Sequence, residues 1–234
     1  FKPDLSPDTF LAYNYLCHFA VVRRRIVEEI GRFREGYDGS QDYDLILRII
    51  QKTTHIKRIP RILYHWRSVR TSVAFNMNVK SYAFPAAKKA IQEFLDARGQ
   101  KADVLDGFAL GAYRVKYHIK KSYRVGIIIP ARDNAQLLRH CISSILNMTD
   151  YKNYEIIVVD NQSSDQETLD YYDSIKSNDQ INILHYGKPF NLSDMNNLAV
   201  SQSGADILVF LNNVTEVISN EWLSAMLEYA QRDD

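Results

Sequence analysis

Glu155-Ile-Ile-Val-Val-Asp-Asn-Gln-Ser-Ser-Asp165 carries the fold signal of this chain. A short apolar run breaks off into Asp160, Asn161, Ser163, Ser164 and Asp165. Such a run is a buried strand that delivers polar side chains to the carboxyl edge of a sheet, where open α/β sheets bind ligands. Upstream, Val125 to Ile129 ends in Pro130-Ala131-Arg132-Asp133. Two strands thus end in loops rich in acids and amides, and a binding cleft is the first expectation. Asp160 calls for a partner, because a carboxylate closing a buried strand is costly when bare. Ser164 and Asp165 have a second reading as caps of the next helix.

Outward from this stretch, strands and helices alternate. The apolar pattern predicts strands at 125–130, 154–159, 181–185 and 206–211. Helices are predicted at 134–148, from about 165 to 175, at 192–203 capped by Ser193, and at 220–231 capped by Ser219. Alternation of this kind implies a mainly parallel sheet flanked by helices. The first half is less regular. It reads as a strand at 14–22, helices at 23–30 and 41–52, short strands within 55–66, and an amphipathic helix at 79–98 closed by Gly99. The stretch 100–122 reads as connector.

Bulk properties narrow the function. The chain has 234 residues, 46% hydrophobic and 24% charged, with net charge +1. That balance argues against general binding to nucleic acid or to an anionic membrane surface. No apolar run approaches the roughly 20 residues needed to span a bilayer. Cys17 and Cys141 lack metal-like spacing and read as buried thiols of a reducing cytoplasm. Fifteen tyrosines suit an aromatic cleft or ordinary packing equally. The chain opens on Phe1, which suggests a fragment or a trimmed sequence. There is no G-x-G-x-x-G and no G-x-x-x-x-G-K-[ST], which argues against a dinucleotide fold and a P-loop.

Four segments together resemble the start of a family 2 glycosyltransferase: 127–133 (IIIPARD), 158–165 (VVDNQSSD), 190–197 (FNLSDMNN) and 210–213 (FLNN). The resemblance implies a GT-A-like α/β fold, a UDP- or other NDP-sugar donor, and a divalent metal, Mn²⁺ or Mg²⁺. It implies that Pro130, Ala131, Arg132 and Asp160 line the nucleoside pocket, that Asn161 and Asp165 support that loop, and that Asn196 or Asn197 sits near the ribose or sugar, with Asn197 taken as the site position. Residues 36–45 (GYDGSQDYDL) resemble the family's other end, where Asp42 matches the catalytic base. Asp44, two residues on, has a competing reading as a cap or a structural ion pair. Tyr64-His-Trp-Arg67 resembles the motif that closes over the diphosphate, with Arg67 on phosphate and His65 on metal or phosphate.

Two departures accompany the resemblance. Where the family carries its metal-binding Asp-x-Asp, this chain has Asn212-Asn213-Val214, with Glu216 the nearest acid. Hard divalent cations want carboxylate oxygens, and Val214 offers none. The order is also reversed, since the catalytic-base end precedes the nucleotide end. The expectation is a junction of two tandem transferase domains: 1–76 the acceptor half of one, 77–122 a helical connector, and 123–234 the nucleotide half of the next. The halves would pair within one chain as a permuted domain, or by exchange of halves in a dimer. A glycan or lipid-linked acceptor, cell-surface polysaccharide synthesis by inversion, and a cytoplasmic site peripheral to the inner membrane face follow from the resemblance. The alternatives are a nucleotide-binding or assembly module that has lost its metal carboxylates, and an unrelated nucleotide-binding α/β protein.

Overall fold

The computed structural model describes residues 2–16, 19–63, 65 and 82–233. The chain divides into two compact units, Phe1–His118 and Ile119–Asp234.

The second unit is the alternating one. Its elements are β3 (Val125–Ala131), α5 (Ala135–Met148), β4 (Tyr154–Asp160), α6 (Gln166–Ile175), β5 (Ile181–His185), α7 (Leu192–Gln202), β6 (Ile207–Phe210) and α8 (Trp222–Ala230). The four strands form one parallel sheet in the order β5-β4-β3-β6. Strand alternation sorts the side chains onto two faces. Ile127, Ile129, Ile156 and Val158 face α5, α6 and α8, where Leu138, Ile142, Ile145, Tyr171, Tyr172, Leu223 and Leu227 complete a core. Ile128, Ile157 and Val159 face Met195 and Ala199 of α7 in a smaller core. Burying each large side chain contributes roughly 1.5–3 kcal/mol. The α/β class read from the sequence is the observed one.

Gly126 lies at a crowded point of β3. A Cβ there would come within 2.9 Å of Ser203 Oγ and 3.1 Å of Leu208 Cδ2. Gly126→Val is expected to cost about 1–3 kcal/mol by overpacking. Urea denaturation checks this: the midpoint should fall while the slope stays unchanged. An unmoved midpoint would mean that the neighbours yield freely.

The first unit contains α1 (Pro7–Ala12), α2 (Arg24–Glu29), α3 (Gln41–Lys52), α4 (Ala83–Ala97) and an antiparallel hairpin of β1 (Ala102–Asp106) with β2 (Tyr113–Tyr117). Its core gathers Phe10, Tyr43 and Leu47 with Ile91, Leu95, Tyr113 and Val115. Phe10 and Tyr43 meet edge-on, ring centroids 4.8 Å apart. Much of the tyrosine content is therefore packing: Tyr15, Tyr37, Tyr43, Tyr113 and Tyr117 are all buried.

Several boundaries differ from the sequence reading. The stretch expected to be connector holds β1 and β2, whose inward Tyr113, Val115 and Tyr117 alternate with half-buried residues. These strands and α4 belong to the first core, so the observed division falls after His118. The described residues of 14–22 and 55–63 form no strand. Asn191, not Ser193, caps α7, its side chain accepting from Asp194 N–H at 3.1 Å. The last helix starts at Trp222 rather than at Asn220. Cys141 is a buried free thiol, pushed up to about 11 by its burial. Cys17 and residues 79–81 lie outside the described residues, and no described helix is long and apolar enough to cross a membrane.

Candidate functional site

The sheet order creates a switch point in the second unit. From β3 the chain moves to β4 and β5 on one side, then returns to pair β6 with β3 on the other. Connections that diverge this way leave a crevice beyond the carboxyl ends of the strands. A cleft of about 420 Å³ lies there. Pro130, Ala131 and Arg132 line it from the end of β3, Asn161 from the end of β4, and Phe210 to Asn213 from the end of β6. Phe190, Leu192, Met195 and Asn196 close it from the start of α7.

The loops after β3 and β4 are tied together. Asp133 Oδ1 accepts from Ser164 N–H at 2.7 Å and Asp165 N–H at 3.1 Å. Asp133 N–H donates to Ser163 Oγ at 2.7 Å. The N–H of Ser164, then that of Asp165, hold the Asp133 carboxyl below the ordinary carboxylate range. Asp133 and Asn134 adopt the left-handed backbone, φ 50° and 62°, which Asp and Asn tolerate better than most residues. Asp165 turns its carboxylate onto Thr168 N–H at 2.9 Å, so the capping reading describes its contact.

Alternation along β4 separates two neighbours that the sequence places together. Asp160 has the parity of Ile156 and Val158, so its side chain lies on the α5–α6 face. There it accepts from Ser163 N–H at 3.1 Å and Tyr172 O–H at 3.2 Å, and lies 3.3 Å from His185 Nδ1. Asp160 is 4% exposed and lies off the cleft lining. The partner its burial requires is supplied by the protein itself. Asn161 turns to the α7 face and does line the cleft. Its Nδ2 donates to the carbonyls of Lys188 at 2.9 Å and Tyr186 at 3.3 Å, which fixes the carboxamide. Among the described residues, the buried Oδ1 atoms of Asn161 and Asn196 find no partner. Asn197, taken as the site position, is exposed and off the cleft, because one residue along a helix turns the side chain about 100° away.

The family model for Glycosyl transferase family 2 matches residues 126–234, the span that builds this cleft. The match to family 2 takes in just under half of the chain. Two curated relatives match along both units. The uncharacterized protein y4gI of Sinorhizobium fredii is 39% identical over 236 residues, 99% of this chain and 26% of that protein. The O-antigen biosynthesis protein RfbC of Myxococcus xanthus is 36% identical over 234 residues, 100% of this chain and 18% of that protein. The chain thus spans about a quarter or less of the length of these relatives. Among solved structures, the mannosyltransferase PcManGT from Pyrobaculum calidifontis, in complex with GDP-Man and Mn²⁺, covers 49% of this chain and 34% of its own, at 18% identity and TM-score 0.44. TarS of S. aureus covers 46% of this chain and 32% of its own, at 19% identity and TM-score 0.41.

The cleft lining offers a metal no acidic donor among the described residues. Its side-chain oxygens come from Asn161, Asn196, Asn212 and Asn213, all neutral. Asn212 Oδ1 already accepts from Val214 N–H at 3.3 Å. Val214 is 62% exposed and Glu216 is exposed and off the cleft lining. No group of three or more His, Cys, Asp or Glu among the described residues could hold a metal ion. Hard cations such as Mg²⁺ and Mn²⁺ are held through carboxylates, so these residues do not suit one.

In the first unit, Asp42 sits half-buried in the first turn of α3. Its Oδ1 accepts from its neighbour Tyr43 N–H at 2.9 Å, and Asn14 Nδ2 donates to Oδ2 at 3.4 Å. Asp44 has the opposite surroundings. It is 1% exposed, is held by Arg48 Nη2 at 2.7 Å and pairs with Arg34, which also reaches Glu93 at 2.8 Å. The structural reading of Asp44 is the observed one. His65 is exposed. Arg67 lies outside the described residues.

Phe190, Leu192, Met195 and Phe210 had no assigned role in the sequence reading beyond motif membership. Their signal was large apolar residues among amides at two element ends, which is equally the signature of core.

Proposed function

We propose that this chain is part of a glycosyltransferase that moves a sugar from a UDP- or other NDP-sugar to a hydroxyl of a glycan or lipid-linked acceptor. The observation that carries the reading is the switch-point cleft of the family 2 unit, with Phe190 and Phe210 beside the buried carboxamide oxygens of Asn161 and Asn196. Aromatic faces take a nucleobase by stacking. Unsatisfied buried acceptors favour a ligand that brings N–H or O–H donors. The role named for the Myxococcus relative supports cell-surface polysaccharide as the product. Work at the cytoplasmic face of the membrane follows from that reading.

Asp42 is the base of the transfer. It takes the acceptor hydroxyl's proton while that oxygen attacks the anomeric carbon and the nucleoside diphosphate leaves. The separate cores of the two units, and relatives that match across both, support a junction of tandem transferase domains. In that arrangement Asp42 serves the domain to which the first unit belongs. Neutral Asn212 and apolar Val214 favour a second reading for the family 2 unit, as a module that binds nucleotide without transferring sugar.

Nucleotide binding tests the reading. Phe190 and Phe210 are 68% and 57% exposed, so their removal spares the fold. With UDP, GDP and their sugars as probes, the chain should show a ligand-dependent rise in melting temperature. Phe190→Ala and Phe210→Ala should each lose about 1–3 kcal/mol of binding. Undiminished binding in both variants would place the nucleotide elsewhere.

A further inference from the structure

We infer that the family 2 unit binds its nucleoside diphosphate without a divalent cation, with Arg132 in the place of the metal. The inference rests on the nucleotide reading above and goes beyond it. Among the described residues, the cleft lining offers a diphosphate neutral side chains and one cation. Asn161, Asn196, Asn212 and Asn213 supply carboxamides, and Arg132 supplies a guanidinium at the carboxyl end of β3. Four neutral oxygens give a hard dication little to replace its water shell. Asn212 spends its oxygen on Val214 N–H, which leaves the Nδ2 hydrogens of that carboxamide to donate to phosphate. The Arg132 side chain is 59% exposed, and among the described residues its ion pair is with Asp133, loose at 3.7 Å. It is therefore available to a new anion. A guanidinium offers two parallel N–H donors to phosphate oxygens and keeps its charge at all working pH values. Asp133 commits its Oδ1 to the N–H groups of Ser164 and Asp165 and meets Arg132 through Oδ2, beyond hydrogen-bond distance.

The test is calorimetric titration of the 234-residue chain with UDP and with GDP, once in excess EDTA and once in excess Mn²⁺. Affinities that agree within about twofold are expected, since a shared metal bond is absent. Arg132→Ala should weaken binding in EDTA by about tenfold, or about 1.4 kcal/mol. Binding that tightens tenfold or more with Mn²⁺ overturns the inference and leaves the nucleotide reading standing, and an unchanged Arg132→Ala variant removes Arg132 from the role. No binding of either nucleotide in either buffer overturns both.

Discussion

Asp44→Ala lowers the stability of the first unit by about 3–5 kcal/mol. The carboxylate is 1% exposed and answers two guanidiniums, Arg34 and Arg48. Arg48 also donates to the carbonyls of Ile30 at 2.6 Å and Arg32 at 2.7 Å, so Asp44 anchors α3 to the end of α2. Removing it leaves Arg48 with carbonyl acceptors and Arg34 with Glu93, and leaving a half-buried charge uncompensated costs more than the pair contributes when intact. The pH dependence has a definite sign. Burial pushes the Asp44 carboxyl up, but the hydrogen bonds from Arg34 and Arg48 outweigh it and hold the group below its ordinary value. A carboxyl depressed in the folded state contributes stability above its unfolded pKa, about 3.9. That contribution is lost as pH falls from the unfolded pKa through the lower folded one. Hydrogen exchange in α3 and α4 checks both points. Protection there should fall in Asp44→Ala at neutral pH and, in the parent, should decline in acid. Equal protection in parent and variant would show that the arginines find other partners without loss.

On the proposed function, Asp42→Asn is expected to remove about 10²–10⁴ of the transfer rate while leaving donor affinity intact. One residue type at two positions, two apart, here has two different fates. Asp44 is sealed under guanidiniums, whereas Asp42 is half-buried with one oxygen loosely held at 3.4 Å by Asn14. An amide at 42 keeps the shape and the contact to Tyr43 N–H, but it cannot take a proton from the acceptor. The measurement is release of nucleoside diphosphate in the full-length protein with acceptor present, beside donor binding in the same variant. Turnover at the parent level would remove Asp42 from the base role, and lost donor affinity with unchanged turnover at saturation would make it a binding residue instead.

The second unit was legible because its elements are long, regular and strongly patterned. Val125 to Ile129 and Ile156 to Val159 are apolar at every position apart from Gly126, as strands covered on both faces must be. The first unit was less so. Its strands β1 and β2 are five residues each, and Ala102–Asp106 buries only one side chain fully. Its α1 is six residues, too short for a helical period to stand out.

For the site, the resemblance assigned Pro130, Ala131, Arg132 and Asp160 to a nucleoside pocket with Asn161 supporting its loop, whereas the cleft is lined by Pro130, Ala131, Arg132 and Asn161. The sequence could not separate Asp160 from Asn161, or Asn196 from Asn197. In each pair the two residues are adjacent and both polar, and only the direction of the side chain distinguishes them. Direction follows from which face of the sheet each helix covers, and that is a property of packing.

By itself, then, the sequence determined the alternation of strands and helices, the ends at which polar side chains emerge, and the absence of acids where a metal would be held. These are consequences of local pattern and residue type. Tertiary structure alone decided that β6 returns beside β3 to open the cleft between diverging connections, and that Asp160 turns under its loop to Tyr172 and His185. It also decided that Asp44 is sealed while Asp42 keeps one oxygen loosely held. Each of these depends on partners distant in the chain, whose arrival no local pattern records.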